Sequence, residues 1–203
     1  MRQHSPMLIR ALHSRLALLA VPMAILMAPA LAGAQPATYD FDADRSFVHF
    51  EVLHFNTSTT RGRFGPIAGS ATMDRSARRG ELSLRIPTGT VSTSLPFFDA
   101  RLRQPDFLDS DAQPEAFFVA SSFRFEGERL AEVRGEFTLR GLSQPLSLTA
   151  LRFACRQDPQ RQRDVCGGDF EARFNRSDFG STFGLPFVGD SVRLLVQVEG
   201  VRR

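Results

Sequence analysis

The sequence predicts an all-β protein whose eight antiparallel strands close into an up-and-down barrel, with an irregular, partly helical segment lying across one end. Three observations carry this. From residue 38 onward apolar and polar side chains alternate in run after run, as where Leu82, Leu84 and Ile86 interleave with Glu81, Ser83 and Arg85; a period of two marks strands with one buried face. No 3.6-residue periodicity of any length follows residue 34. Between two alternating runs, Leu95 to Leu108 gathers Leu95, Phe97, Phe98, Leu102, Phe107 and Leu108 among Asp and Arg, interrupted by Pro96 and Pro105. That stretch is too irregular for a strand and too broken for a long helix, so it must lie against an apolar surface. Eight strands with one apolar face each close naturally into a barrel, which removes edges that would otherwise aggregate. A two-sheet sandwich is the alternative.

Residues 1–34 read as a secretory leader. Arg2, Arg10 and Arg15 precede or open an apolar run from Leu16 to Leu31, and Ala32-Gly33-Ala34 supplies small residues for cleavage before Gln35. An uncleaved anchor is the rival, but Pro22, Pro29 and the run's length fit a span of ~20 residues poorly. The expectation is a periplasmic domain over residues 35–203 with no stable membrane span. The leader holds three Arg and no acid, so removing it takes the formal charge from +3 to zero. The high isoelectric point is therefore no argument for nucleic-acid binding. All 25 basic residues are Arg.

The first strand starts at Tyr39 to Phe41, turns over Asp42 to Arg45 and continues with Val48, Phe50, Val52 and His54 on one face. A second, Gly62 to Asp74, carries Gly65-Pro66, which forces a bulge or bend; beyond it Ile67, Gly69, Ala71 and Met73 share a face. Glu81 to Ile86 follows. After the irregular segment, whose Phe97 to Gln104 forms a helical turn or two, Phe117, Val119, Ser121, Phe123 and Phe125 share one parity. Val133, Gly135, Phe137 and Leu139, then Leu146, Leu148 and Ala150, then Phe170, Ala172 and Phe174, and last Val192, Leu194, Val196 and Val198 complete the set. Gly69, Ala71, Gly135 and Ala172 at inward parity are expected to leave room for a ligand.

Cys155 and Cys166 are expected to form a disulfide, which for a loop of ~10–15 residues would contribute about 3 kcal/mol in the chain-entropy account. Metal ligation is the rival, but two thiols without a nearby His make a poor site. His49 and His54, five apart on one strand, point to opposite faces and share no ligand. There is no Gly-x-Ser-x-Gly elbow, no phosphate-cradling loop and no His-Glu-x-x-His. The chain is accordingly read as a non-enzyme with no cofactor and no metal. His54 is either a satisfied core histidine or a donor that orients a ligand.

The string Tyr39, Asp42, Ser46, Phe50, His54, Gly62, Phe64 and Gly69 resembles the opening of the YceI family of exported, lipocalin-like proteins. Asp99-Ala100-x-Leu102-Arg103, Asp106-Phe107-Leu108-Asp109, Pro114, Phe117 and Phe118 are similar to its central block. Gly135-x-Phe137-Thr138-Leu139-x-Gly141, Cys166-Gly167, Arg176-Ser177-Asp178-Phe179-Gly180 and Gly189-Asp190 continue the likeness, which covers nearly all of residues 38–201. It implies an eight-stranded barrel with an apolar tunnel that binds a long-chain isoprenoid, such as a polyprenyl chain or quinone precursor. One departure stands out. Arg101 occupies a position where the family commonly has His, which would favour a different, anionic head group if that position meets the ligand.

The expected function is a periplasmic carrier for a long-chain isoprenoid or related amphiphilic lipid. A stress-related interaction protein with a packed barrel and a lipid- or quinone-modifying enzyme are the alternatives. The tunnel is expected to be lined by Phe50, Val52, His54, Phe64, Ile67, Leu84, Phe117, Val119, Phe123, Phe137 and Phe174. Its mouth is assigned to Phe97, Phe98, Arg101, Leu102 and Phe107. Pairing of two barrels into a homodimer is left open.

Overall fold

The computed structural model describes Met1 and residues 35–203, so the leader expected over residues 1–34 lies, Met1 apart, outside the described residues. Ten strand segments follow one another: β1 Ala37–Phe41, β2 Phe47–His54, β3 Ser58–Phe64, β4 Ala68–Asp74, β5 Arg79–Pro87, β6 Glu115–Glu126, β7 Arg129–Leu139, β8 Leu142–Asp158, β9 Arg163–Asn175 and β10 Val188–Arg202. They pair antiparallel in the order β1-β4-β5-β6-β7-β8-β9-β10, and β10 returns to β1, closing the ring. One edge of β10 carries β9; the other carries β2 along Val188 to Gln197 and β1 along Gly200 to Arg202. β1 and β2 are thus two halves of one barrel strand, and β3 and β4, which pair with them, are two halves of the next. Counted this way the barrel has the eight strands that the alternation predicts.

Two interruptions create the extra segments. Asp42 caps a 3-10 turn over Ala43–Arg45, its Oδ1 accepting from the Asp44 N–H at 3.0 Å. The ladder bonds lost there are replaced by Ser46, which is fully buried. Its hydroxyl donates to the Glu199 carbonyl at 3.3 Å and accepts from the Glu199 N–H at 3.2 Å, while its own carbonyl accepts from the Ile67 N–H. A buried backbone polar group left unpaired would cost about 1–3 kcal/mol, so the hydroxyl stands in for missing main chain. The second interruption is the cis peptide Gly65-Pro66. Gly65 has φ of +136°, and a Cβ on it would lie 2.7 Å from the Phe47 ring, so glycine is required.

The inward faces follow the sequence parity in β2, β4, β5, β7, β8, β9 and β10, with Leu84, Ile86, Phe137, Leu148, Phe170 and Leu194 among the buried core. β6 departs from it. Ala116, Phe118 and Ala120 are buried, while Val119 is 56% exposed. A β-bulge between Ala120 and Ser122 is the reason. An extra residue swaps the faces of everything beyond it, so Phe123 and Phe125 pack on the core although Phe117 and Val119 do not. Gly135 sits opposite this bulge, and a Cβ there would lie 2.2 Å from the Val119 carbonyl oxygen; at Gly69 it would lie 2.0 Å from that of Ser83. These glycines are filled by neighbouring backbone, which corrects the expectation that they hold the interior open for a ligand. Cys155 and Cys166 face each other across β8 and β9 and are disulfide-bonded.

One end of the barrel is covered by Thr88 to Leu108, including the 3-10 turn Thr88–Thr90 and the helix α1, Pro96–Leu102, with Pro96 in the first turn where its missing N–H costs nothing. Asp99 accepts from the N–H and the hydroxyl of Thr93, both at 2.6 Å, and Ser92 exchanges two backbone bonds with Arg63 of β3 at 2.9 Å. Arg140, at the turn after β7, fastens the cover from the far side. Its Nε donates to the Phe179 carbonyl at 3.0 Å and its Nη1 to those of Pro105 and Phe107 at 2.6 and 2.8 Å. Among the described residues no helix is long and apolar enough to cross a membrane.

On the outer wall Glu132 of β7 accepts from Arg134 and Arg124, and these hydrogen bonds hold its carboxyl down at about 2, against an ordinary 4.5. A carboxylate whose folded value is depressed adds stability above its unfolded value and loses it as the pH falls through the folded one. The stability gap between the protein and Glu132→Gln is therefore expected to be full at pH 7 and to vanish between about pH 4.5 and pH 2, as read from urea midpoints by circular dichroism. Arg140→Ala, which removes three charge-assisted bonds, is expected to lower unfolding stability by about 1–3 kcal/mol. Hydrogen exchange over residues 95–110 should accelerate more than exchange in β7 and β8; uniform acceleration would show that the clasp is not local.

Candidate functional site

Among the described residues, two cavities lie in the barrel interior. The larger, about 310 Å³, opens at the covered end, and its wall is almost wholly apolar. β2 contributes four consecutive inward positions, Val48, Phe50, Val52 and His54; Phe64, Ile86, Leu139, Val192 and Leu194 complete much of the shaft. Phe137 and Phe174 form one side of it, their rings 5.4 Å apart and both packed on Phe179 at 5.4 and 5.2 Å. The smaller cavity, about 50 Å³, lies toward the other end among Ala71, Met73, Leu84, Phe123, Val133 and Phe170.

No residue lines both. Strand positions show what stands between them. On β6 Ala116 faces the large cavity, Phe123 the small one, and Phe118 and Ala120 neither; on β9 Phe174 and Phe170 face one each and Ala172 neither. Ile67 and Leu146, both buried, likewise face neither. Phe118 and Ile67 are 2% and 1% exposed, so this layer is a packed septum rather than a constriction.

The structure distributes the expected site residues between the large cavity, the septum, the small cavity and the outer surface. Phe50, Val52, His54, Phe64, Phe137 and Phe174 line the large cavity from the wall, and Phe98, Arg101, Leu102 and Phe107 from the cover. The others are corrected. Phe97 is 88% exposed, because α1 turns Phe98 and Leu102, one helical turn apart, inward together. Phe117 pairs with exposed Arg85 and shares the outer face of β6 with Val119, ahead of the bulge. Ile67 lies in the septum, and Leu84 and Phe123 lie beyond it in the small cavity.

Arg101 does not present a free charge to the cavity. Both its terminal nitrogens donate to the Asp106 carboxylate, one at 2.6 Å, and this pairing holds that carboxyl below its ordinary value. Its guanidinium also lies 4.7 Å from the ring centroids of Phe107 and of Phe183, a stacked arrangement suited to Arg. The head-group preference expected of Arg101 therefore has to be sought elsewhere.

The residue that periodicity does not reveal is Arg176, 6% exposed and part of the cavity wall. It donates to three main-chain carbonyls, those of Gly189, Ser181 and Val188, at 2.8 to 2.9 Å, so it binds the loop between β9 and β10 to itself. Burial pushes the Arg176 guanidinium down from its ordinary value, with Asp190 acting in the opposite sense. Asp190 in turn accepts from the Ser177 N–H and hydroxyl at 2.9 and 2.7 Å. The clue in the sequence is the pair of strings Arg176-Ser177-Asp178-Phe179-Gly180 and Gly189-Asp190, which hold each other. Phe183 from this loop and Val188, the first residue of β10, join the cavity rim. Among the described residues no three His, Cys, Asp or Glu side chains converge as metal ligands would.

Comparison with known proteins agrees with this architecture. Protein YceI of Salmonella newport (strain SL254) is 29% identical over 165 residues, covering 81% of this chain and 85% of that protein. Among solved structures, Burkholderia cenocepacia BcnA superposes with a TM-score of 0.66 at 19% identity, covering 79% of this chain and 99% of that one. A Campylobacter jejuni YCEI protein gives 0.63 at 21% identity over 74% and 90%. A polyisoprenoid binding domain from Saccharophagus degradans, implicated in plant cell wall breakdown, gives 0.59 at 15% identity over 81% and 98%. The profile of the YceI-like domain matches residues 39–200, and the chain, with its closed eight-stranded barrel, belongs to that family.

Proposed function

We propose that this protein is an exported, periplasmic carrier that holds an isoprenoid or similar amphiphilic lipid in the large cavity. The observation that carries the reading is an apolar shaft of about 310 Å³ that opens at one end, within the ~300–1,000 Å³ range of small-molecule sites. A packed barrel with no binding role would have no reason to leave such a shaft unfilled, since each missing methyl-sized contact costs stability. The family membership and the polyisoprenoid-binding domain among the structural neighbours support the choice of ligand class. The chain inserts between the Phe137–Phe174 side and the inward face of β2, where each buried methylene contributes about 0.8 kcal/mol. Ten of them give roughly 8 kcal/mol before the cost of association, a micromolar scale at best. The polar end stays near His54, Thr60 and Ser181 toward the mouth. Arg176, whose hydrogen bonds to the loop are neutral at their acceptor ends and whose charge is partly offset by Asp190, supplies positive potential there.

Extraction of the purified protein with organic solvent, followed by mass spectrometry, is expected to yield an amphiphilic prenyl lipid near one per barrel. Val52→Phe, which fills the shaft from β2, is expected to lower lipid uptake at least tenfold while moving the melting temperature by only a few degrees. Uptake that is unchanged in a folded Val52→Phe protein would overturn the placement of the ligand in this cavity.

A further inference from the structure

Resting on the carrier reading, we infer that Phe118 sets the length of the chain this barrel accepts, and that the chain is short, near three isoprene units. The shaft has a floor. Along β2 its lining runs from His54 down to Val48, six residue steps of ~3.3 Å on strands tilted ~35–45°, which makes a depth of ~15 Å. With carbon–carbon bonds of ~1.5 Å, an extended chain of that depth has about a dozen backbone carbons, the length of three isoprene units. The volume argues the same way, because about 310 Å³ sits at the small end of ligand sites.

Below that depth lies the septum. Phe118 is its largest side chain, and Ile67, Leu146 and Ala172, also buried, likewise line neither cavity. In register, Phe118 pairs with Leu84 of β5, which lines the small cavity, and with Phe137 of β7, which lines the large one. Its ring therefore stands at the boundary between the two voids. It faces inward in phase with Leu84 and Phe137, and the bulge at Ala120 and Ser122 lets Phe123 face inward as well, one on each side of the phase change. A longer chain has two choices, to displace Phe118 or to leave its remaining carbons in water. Removing the ring would join the cavities and let the chain run on toward Ala71 and Phe170.

The test is a titration of the full mature barrel with prenyl alcohols of two, three, four, six and eight isoprene units, read by displacement of a fluorescent fatty acid. The protein is expected to bind more tightly with each unit up to three, by about fourfold for each methylene buried, and to gain nothing beyond. Phe118→Ala is expected to move the optimum to longer chains, improving the ratio of six-unit to three-unit affinity at least tenfold. Phe118→Leu should shift it the same way by less, and carries the test if the alanine variant does not fold. Ala71→Leu, which fills the small cavity, should leave the unmodified septum's length profile unchanged but cancel most of the gain in the Phe118→Ala background. Affinity that keeps rising to eight units, or an optimum unmoved in folded Phe118 variants, overturns the inference and leaves the carrier reading standing. Failure to bind any chain of any length overturns both.

Discussion

Closure of the ring rests on β10 sharing a single edge between two partners. β2 takes its first ten residues and β1 its last three, and between them the regular ladder gives way to a main-chain bond from the Asp42 N–H to the Glu199 carbonyl at 2.8 Å and to side-chain bonds. An eight-stranded sheet that failed to close at this seam would expose two edges and drain its apolar interior. The seam holds because Ser46 puts a hydroxyl where a peptide group would have been and the 3-10 turn before it brings the chain back into register. The same interruption divides the interior between the two halves of that strand, with β1 beside the small cavity through Tyr39 and Phe41 and β2 beside the large one. The four β2 positions of the shaft all lie on one side of the seam.

Most of the scaffold was legible from alternation alone. Seven strands put the expected side chains inside, and the expected bend at Gly65-Pro66 and the disulfide are both present. β6 was misread for a physical reason. A bulge leaves no mark in a hydrophobic pattern when both faces carry Phe, and Phe117, Phe118, Phe123 and Phe125 offer apolar rings to either choice of phase. The site was half legible. Wall residues on strands could be placed by parity, whereas Phe97 and Phe98 are adjacent and chemically identical, and only the helix packing decides which turns inward. Arg176 was out of reach because its partners are main-chain carbonyls, which every residue has and no sequence pattern displays.

The covered end is held by arginines in three different ways. Arg101 is neutralised by Asp106 and stacked on rings, Arg140 reaches across to carbonyls of the cover, and Arg176 gathers the loop after β9. A planar fork of donors serves each of these tasks, and an ammonium would serve none of them as well. The mouth is therefore ordered by polar bonds at its rim while its interior stays apolar, so the cover can be fastened without filling the space beneath it.

The exclusive use of arginine has a chemical side as well. With 25 Arg and no Lys, and with both cysteines joined to each other, no side chain of the folded barrel offers a primary amine or a thiol. Quinones and unsaturated aldehydes are electrophiles that are trapped by such groups as Schiff bases or Michael adducts. A reactive guest of that kind would meet neither group in the shaft, where the His54 imidazole is the strongest nucleophile on the wall.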